Sequence, residues 1–337
     1  MFVPGETVPR DFVYPPQDVG IILTYRCHSG CKHCLYNCGP GWGMEAMPAD
    51  NLRQALETLA GWSRPPQVHL TGGEPFIFYD LLLEGTRIAA DLGITVYAET
   101  SAAWCVDEES TQDRLAALRD AGLAAVLISC SPFHAEKIPP VRTLRAVQAA
   151  LKVFGARGVI IYRPEFLEVV QQFDLERPTS LSRYVELLGD EEAGRVLWGG
   201  YGIIAGGRAG YKLGHLVTPQ AADAFAGENC AGNILYAHHS HMDLAGNFIP
   251  AFCGGLTAAD WRVADPLARP YPELVELLIE RGPYGLYELA QRRYDYRPLP
   301  GGYAGKCHLC VDLRWHLVRI KGDDYPELRP VGFYENI

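Results

Sequence analysis

Three cysteines lie within eight residues near the start of the chain: Cys27, Cys31 and Cys34, spaced C-x3-C-x2-C. Thiolates are soft ligands that select zinc or iron–sulfur clusters. Three of them can hold a four-iron cube with one iron left open, and an open metal position is typical of a catalytic site. Cys38 could instead close the set around a structural zinc ion. The spacing therefore predicts a metal site of one of these two kinds.

A second group of cysteines occupies the last third of the chain: Cys230, Cys253, Cys307 and Cys310. Ten cysteines in a reducing compartment are better explained by metal binding or catalysis than by disulfides. Two clusters that are far apart in sequence indicate two separate metal sites.

The composition sets limits on the class of protein. The chain has 337 residues, of which 48% are hydrophobic and 21% charged, as in globular proteins, and its formal net charge is −10. With no concentrated basic patch, we expect neither a nucleic-acid partner nor an anionic membrane surface. The stretch Met1–Gln17 has no signal-peptide core, and no apolar run reaches the ~18 residues of a membrane span, so we expect a cytoplasmic protein.

The elements that must position the cysteines alternate between strands and helices. Predicted strands are Gly20–Thr24, Val68–Thr71, Ile94–Thr100, Ala125–Ser129, Gly158–Tyr162 and Val196–Ile204. Predicted helices are Pro48–Trp62, Tyr79–Leu92, Asp107–Ala121 and Val141–Phe154. This alternation implies parallel strands and an α/β fold, a partial (β/α)6 TIM-like barrel. In such folds chemistry gathers beyond the carboxyl ends of the strands, where the first cysteine loop lies.

A second motif at a strand end identifies a family. Thr71-Gly72-Gly73-Glu74-Pro75 follows the second strand, and together with the cysteine loop it resembles the radical S-adenosylmethionine (radical SAM) enzymes. The resemblance implies a four-iron, four-sulfur (4Fe–4S) cluster on Cys27, Cys31 and Cys34. It also implies that Gly72, Gly73, Glu74 and Pro75 bind S-adenosylmethionine, which is cleaved reductively to a 5′-deoxyadenosyl radical that takes hydrogen from a substrate C–H bond.

The resemblance extends to four further positions that would contact S-adenosylmethionine or a carboxylate: His33, Ser129, Ile160 and Arg208. His33 precedes the third cysteine, where the family places a residue whose backbone touches adenine; the alternative is an ordinary loop histidine. Ser129 is a ribose or carboxylate ligand or a plain strand-end serine. Ile160 lies in a stretch similar to an adenine-contacting motif. Arg208 either binds a carboxylate in bidentate fashion or is a surface arginine.

The late cysteines resemble the auxiliary-cluster extensions called SPASM and twitch. This resemblance implies one auxiliary 4Fe–4S cluster on Cys230, Cys253, Cys307 and Cys310, while a structural zinc ion on the same thiolates is the alternative. A β-hairpin is expected within Ala237–Pro250. The predicted organisation is an N-terminal extension (1–19), a radical SAM partial barrel (20–215) and a small twitch/SPASM-like cluster domain (216–337).

The family implies ferredoxin or flavodoxin as electron donor, and two classes of substrate stay open. One is a peptide, as for modifying maturases, although the twenty or so residues before the first strand leave no room for a leader-binding module. The other is a small molecule, as for a sugar or cyclitol dehydrogenase. A zinc-stapled binding protein without catalysis is the third alternative.

The histidine run and two isolated cysteines are expected to have no role in metal binding or catalysis. The run His238-His239-Ser240-His241 is expected to be exposed polar surface rather than a metal site. Cys105 and Cys130 could donate hydrogen atoms, but we expect buried core residues, with Cys130 facing the helices.

Overall fold

The fold is described by a computed structural model for residues 13–337; the first twelve residues, which hold most of the predicted extension 1–19, lie outside the described part. Eight strands form one sheet in the order β5-β4-β3-β2-β1-β6-β7-β8. The strands are β1 (Asp18–Ile22), β2 (Gln67–Thr71), β3 (Val96–Thr100), β4 (Ala125–Ser129), β5 (Val159–Tyr162), β6 (His239–Asp243), β7 (Asn247–Ile249) and β8 (Ala259–Asp260).

Helices connect the strands. They are α1 (Ala49–Ala60), α2 (Tyr79–Asp91), α3 (Glu108–Asp120), α4 (Pro132–Ala135), α5 (Pro140–Phe154), α6 (Glu165–Val170), α7 (Leu181–Leu188), α8 (Asp190–Ala193), α9 (Arg208–Leu213), α10 (Ala231–Ile234), α11 (Glu273–Tyr294), α12 (Lys306–Lys321) and α13 (Gly332–Glu335). Short 3-10 turns occur at Pro75–Phe78, Ala156–Gly158, Gly214–Leu216, Ala222–Phe225 and Gly322–Asp324. The helix α11 is kinked at Gly282, whose backbone is not helical.

The α/β class predicted from the sequence is confirmed. β1 to β5 pair in parallel in chain order, and each crossover contains at least one helix. The apolar residues Val19 and Ile21 of β1 are fully buried in a core with Leu52 and Leu56 of α1, because alternate strand residues point to opposite faces. The other face of the sheet carries polar side chains such as His69 and Glu99 together with the buried apolar Ile22.

The prediction of a sixth strand at Val196–Ile204 is wrong. The π-helix Gly194–Gly200 occupies most of this stretch and a turn follows it. Its Leu197 is fully buried against Phe133, Phe166 and Ala209. The apolar run is explained by this small core, and not by pairing in a sheet.

A strand from the C-terminal part takes the sixth parallel position. The predicted hairpin forms from β6 and β7, with its turn at residues 244–246, and β6 pairs in parallel with β1 on the side opposite to β2. The sheet therefore continues from the barrel strands into the C-terminal part of the chain. The boundary at 215/216 stays a prediction.

Within residues 13–337, none of the helices combines the length and the apolar character needed to cross a lipid bilayer.

Candidate functional site

A cavity of about 470 Å³ opens at the carboxyl ends of the parallel strands, where the cysteine loop follows β1. The sulfur-bearing residues Cys27, Cys31, Cys34 and Cys38 all line it. Other lining residues come from the ends of β2 to β5 and from the segment after the π-helix: Thr71, Gly72, Gly73, Glu99, Thr100, Ser101, Ser129, His134, Tyr162, Tyr201, Gly202, Ile203 and Ile204. The structure thus gathers the predicted strand-end features into one site.

Arg208 holds the cysteine loop in shape. Its buried guanidinium donates to the backbone carbonyl oxygens of Cys31 (3.0 Å), Cys38 (2.5 Å) and Asn336 (3.1 Å). Its own backbone N–H donates to the carbonyl oxygen of Cys34 at 3.2 Å. The guanidinium is therefore engaged with backbone rather than presented to a carboxylate, and a place on the surface is excluded.

The two glycines of the second motif bring two loops together. A methyl group on Gly72 would lie 2.3 Å from the carbonyl oxygen of Thr24, and one on Gly73 would lie 2.0 Å from that of Arg26. Gly73 N–H donates to Thr24 O at 2.7 Å, and Glu74 N–H donates to Arg26 O at 2.9 Å. Gly72 also has φ of +148°, which disfavours other residues. The close approach of the chain leading to Cys27 therefore requires both glycines.

Glu74 is fully buried and braces the ends of β2 and β3. Its carboxylate accepts hydrogen bonds from Thr100 Oγ1 (2.9 Å), Ser101 N (3.0 Å) and Ser101 Oγ (2.5 Å). Burial raises the pKa of Glu74, although these hydrogen bonds oppose the rise. Pro75 begins the 3-10 turn after it and is also buried. Thr100 and Ser101, held by Glu74, are the residues that reach the cavity.

His33 belongs to an aromatic wall of the cavity. Its ring centroid lies 4.8 Å from those of Phe133 and His134 and 4.9 Å from that of Tyr201, and the Tyr201 hydroxyl is 3.0 Å from His33 Nε2. Burial lowers the pKa of His33 well below its ordinary value. His33 Nδ1 and Ser29 Oγ are buried without a hydrogen-bond partner, so the wall carries polar atoms that a ligand would satisfy.

The remaining predicted contacts fall on β4 and β5. Ser129 ends β4 and lines the cavity, next to Tyr162 of β5 in the register. Ile160 pairs with Leu127 and is 40% exposed; it does not line the cavity. Sequence reasoning missed His134, which lines the cavity and whose Nδ1 is 2.7 Å from Ser131 Oγ. It follows the end of β4, where only Ser129 was predicted to contact a ligand.

Burial makes the thiols of Cys27 and Cys31 poor anions on their own. It raises the pKa of Cys27 to about 12 and that of Cys31 further still, although the nearby charge of Arg208 opposes the rise. A hydrogen bond with Cys38 lowers the pKa of Cys34, and the same contact raises that of Cys38. Several buried thiols at one cavity are stable as thiolates only beside a cation, which fits a metal cluster.

The four late cysteines meet in a second place. Cys307 and Cys310 lie in the first two turns of α12, Cys230 precedes α10, and Cys253 follows β7. The thiols are close enough to raise one another's pKa. Burial is the larger cause, raising the pKa of Cys230 to about 12 and that of Cys307 to about 11. The structure brings the predicted set together.

Two cations accompany this second set. Arg314 is buried and donates from Nη1 to Gly254 O at 2.9 Å, and its charge opposes the rise in pKa of Cys253. Lys306 pairs with Glu228 at 3.1 Å and acts in the same way on Cys307. Positive charge is thus placed beside thiols that would be anionic when they bind a metal.

The isolated cysteines are core residues, as predicted. Cys105 is fully buried in the main core, and Cys130 is buried among Ala135, Val170 and Tyr184. Burial raises the pKa of each thiol to about 12. Neither lines the cavity.

Fold and site together define an α/β protein whose parallel strands end at a thiol-lined cavity. Residues 21–161 match the family model described as the Radical SAM superfamily. Over that stretch, less than half of its length, the chain is similar to the Radical SAM superfamily. It is also similar to the PqqA peptide cyclase of Rhodopseudomonas palustris, at 30% identity over 178 residues. That alignment spans 48% of this chain and 45% of the relative, less than half of either protein.

Among solved structures, the crystal structure of BtrN in complex with AdoMet and 2-DOIA aligns with a TM-score of 0.44 and 12% identity. The alignment covers 80% of this chain and 90% of that chain.

The match of residues 21–161 to this family model implies a 4Fe–4S cluster and S-adenosylmethionine as cofactors. The residues present fit both groups. Soft thiol donors crowd one end of the cavity, and at its wall the buried atoms His33 Nδ1 and Ser29 Oγ lack partners.

Proposed function

We propose that the chain is a radical SAM enzyme that cleaves S-adenosylmethionine reductively and abstracts hydrogen from a C–H bond of a peptide. The observation that carries the proposal is the convergence of Cys27, Cys31 and Cys34 with the Gly72–Gly73 segment at one cavity. When bound, the cluster supplies the electron that breaks the sulfonium C–S bond. The chain's own residues bind and orient the cofactor and substrate.

One end of the cavity would hold the cluster, and the other end would hold S-adenosylmethionine. The three cysteines lie on the loop whose backbone Arg208 holds, so the chain itself restrains the segment that would carry the cluster. Thr100 and Ser101, braced by Glu74, offer polar groups beside Gly72, where the amino acid part of S-adenosylmethionine would bind. His33, Tyr201 and Ser129 would enclose the adenosine part and exclude water.

The second thiol set would hold the auxiliary 4Fe–4S cluster. The thiols of this set raise one another's pKa and lie beside the cations Arg314 and Lys306, which supports a shared metal site. A structural zinc ion on the same thiolates is the alternative. With all four irons liganded, such a cluster suits electron transfer, and ferredoxin or flavodoxin is the proposed donor.

A peptide is the proposed substrate class because the peptide cyclase is similar over 178 residues. A small molecule is the alternative substrate class. Incubation with candidate peptides distinguishes the two classes. Incubation with candidate peptides from neighbouring genes should give a mass change of one peptide, together with stoichiometric 5′-deoxyadenosine. Turnover of a free sugar, with no change in any peptide, would contradict the peptide proposal.

The cleavage proposal is tested by anaerobic reconstitution with iron and sulfide, addition of dithionite and S-adenosylmethionine, and measurement of 5′-deoxyadenosine. We expect product from the wild type and from the core variant Cys105→Ala, and none from Cys31→Ala. Cys38→Ala should also form product, since it is not a ligand of the proposed three-cysteine cluster. Loss of product in Cys38→Ala with full retention in Cys31→Ala would contradict the proposal, as would wild-type protein that binds only zinc.

A further inference from the structure

A cluster of three histidines lies on the inner face of the sheet, one residue layer below the cavity. Gly20 of β1 is in register with His69 of β2 on one side and with His241 of β6 on the other. His239 lies two residues before His241 and so faces the same way. One ring nitrogen from each histidine falls within 4.8 Å of the other two. The prediction of exposed polar surface is therefore wrong for His239 and His241.

We propose that His69, His239 and His241 bind one divalent transition-metal ion, at a site separate from both cysteine sets. Neutral imidazole nitrogens suit zinc, iron and cobalt. This inference does not depend on the proposed radical chemistry, because it rests on the geometry of the inner sheet face.

The space for the rings is made by Gly20. A methyl group at this position would lie 2.4 Å from His69 Nε2 and 2.3 Å from His241 Cδ2. Glycine inside a central strand weakens it, because it has no side chain to pack and is conformationally free when unfolded. Here the two imidazoles occupy the volume above the strand, so the glycine is explained by the histidine cluster.

Asp18 fixes the tautomer of His69. Its Oδ1 lies 2.7 Å from His69 Nδ1, and because a carboxylate only accepts, Nδ1 must carry the proton. The Nε2 lone pair of His69 is therefore directed to the cluster. Tyr97 donates its hydroxyl proton to Asp18 Oδ2 at 3.2 Å and stacks on the ring of His69. A carboxylate behind the remote ring nitrogen is the usual support of a metal-binding histidine.

The rings of His239 and His241 are held by contacts with each other and with neighbouring aromatic residues. His239 Nε2 lies 3.3 Å from His241 Nε2. The Tyr36 hydroxyl is 2.8 Å from His241 Nδ1, and Phe252 stacks on His239 with centroids 4.8 Å apart. Each ring is thus restrained by a neighbour outside the cluster. His69 and His241 are 1% and 3% exposed, so the nitrogens converge in a site that is largely closed to solvent.

An oxygen donor, Glu99, lies near the ring nitrogen of His69. Glu99 Oε1 lies 3.8 Å from His69 Nε2, while Glu99 Oε2 accepts a hydrogen bond from Thr71 Oγ1 at 2.7 Å. Glu99 and Phe252 also line the cavity above. Three imidazoles and one carboxylate would complete a four-coordinate shell, and the ion would lie at the base of the cavity.

The test uses the full-length protein with its cysteine sites first loaded with iron and sulfide, so that added zinc meets only other ligands. Zinc is equilibrated against a weak chelator and counted by mass spectrometry after gel filtration. We expect one equivalent in the wild type and in His238→Gln, an exposed neighbour on the same run, and none in His69→Gln or His241→Gln. Asp18→Asn should weaken zinc binding by about 10- to 100-fold.

A second measurement covers variants that fail to fold. Cobalt bound to the wild type should show d–d bands without thiolate-to-cobalt charge transfer, and zinc should raise the melting temperature of the wild type and of His238→Gln. Uptake of no zinc by the wild type, or a cobalt spectrum with thiolate bands, would overturn the proposal in favour of a hydrogen-bonded polar cluster. Zinc retained in a folded His241→Gln would overturn it as well.

Discussion

Arg208 and Cys31 are joined by a hydrogen bond of 3.0 Å from the guanidinium Nε to the cysteine backbone carbonyl oxygen, across 177 positions of the chain. The same guanidinium reaches Cys38. A residue from α9 thus sets the curvature of the loop that carries three thiols. This long-range contact adds to the local hydrogen bonds of the loop, such as that from Cys34 N to Cys31 O at 3.1 Å.

Replacing Arg208 should therefore loosen the first metal site. Arg208→Ala leaves buried carbonyl oxygens without donors, and we expect the free energy of unfolding to fall by about 3 kcal/mol. Iron bound after reconstitution should fall with it, measured by iron and sulfide analysis. The exposed Arg157→Ala is the matched control and should change neither quantity. Unchanged iron content in Arg208→Ala would show that the loop is shaped without it.

Because the backbone of Arg26 lies so close to Gly73, any larger residue at position 73 should destabilise the protein. In Gly73→Ala the new methyl group would meet the carbonyl oxygen of Arg26, so one of the two segments must move. We expect a loss of about 3 kcal/mol in the free energy of unfolding, since the obstacle is backbone and cannot rotate away. Gly301→Ala, with no atom within 4 Å of its new methyl group, is the control. Urea unfolding measures both, and equal stability of the two variants would contradict the argument.

Loss of a thiol from the second set should leave the cleavage of S-adenosylmethionine intact. Cys307→Ala removes one of four thiols and should lower bound iron, yet 5′-deoxyadenosine should still form without substrate product. Substrate product and 5′-deoxyadenosine are quantified side by side. Cys130→Ala, a buried cysteine away from both sites, should keep both activities. Full product formation by Cys307→Ala would contradict a role in electron transfer.

Glu276 provides a pH-dependent contribution to stability. Partial burial raises its pKa, but hydrogen bonds from Arg269 Nε (3.1 Å) and Tyr271 N (2.7 Å) outweigh burial, and the net shift is downward. A lowered pKa in the folded state stabilises the protein above the ordinary glutamate value of about 4.3, and this contribution is lost as the pH falls through the folded value.

The corresponding variant is Glu276→Gln. At neutral pH it should lower the free energy of unfolding by about 1–2 kcal/mol, and the difference from wild type should shrink once the pH is below about 4. Urea titrations at both pH values measure it. Glu186→Gln, which breaks an exposed pair with Arg183, should cost less than about 0.5 kcal/mol. A difference that grows on acidification would reverse the assigned sign.

The features of the fold and site that could be predicted from the sequence are those that depend on local residue patterns. The strand-end cysteine loop, the Gly72–Gly73 segment and the first five strands follow from spacing and alternation, and the structure agrees. The strand expected at Val196–Ile204 fails because a run of apolar residues and glycines fits a buried helix turn equally well.

Long-range partners could not be predicted in this way. His239 and His241 alternate as a strand requires, so a shared face was readable, but nothing local indicated that β6 pairs with β1 or that His69 completes the group. The role of Arg208 was missed for the same reason. Its partners are backbone atoms far away in the chain, and they leave no trace in the sequence around it.

The neighbouring positions of β1 and β6 also affect synthesis of the chain. Tyr25 beside β1 donates a hydrogen bond of 2.7 Å to Asp243 of β6, 218 positions later. At ~5–20 residues per second, a ribosome needs roughly 10–40 s to make the intervening chain. During that interval the nascent β1 has one unpaired edge with Gly20 at its centre. The parallel sheet can therefore be completed only after β6 has been made, late in translation.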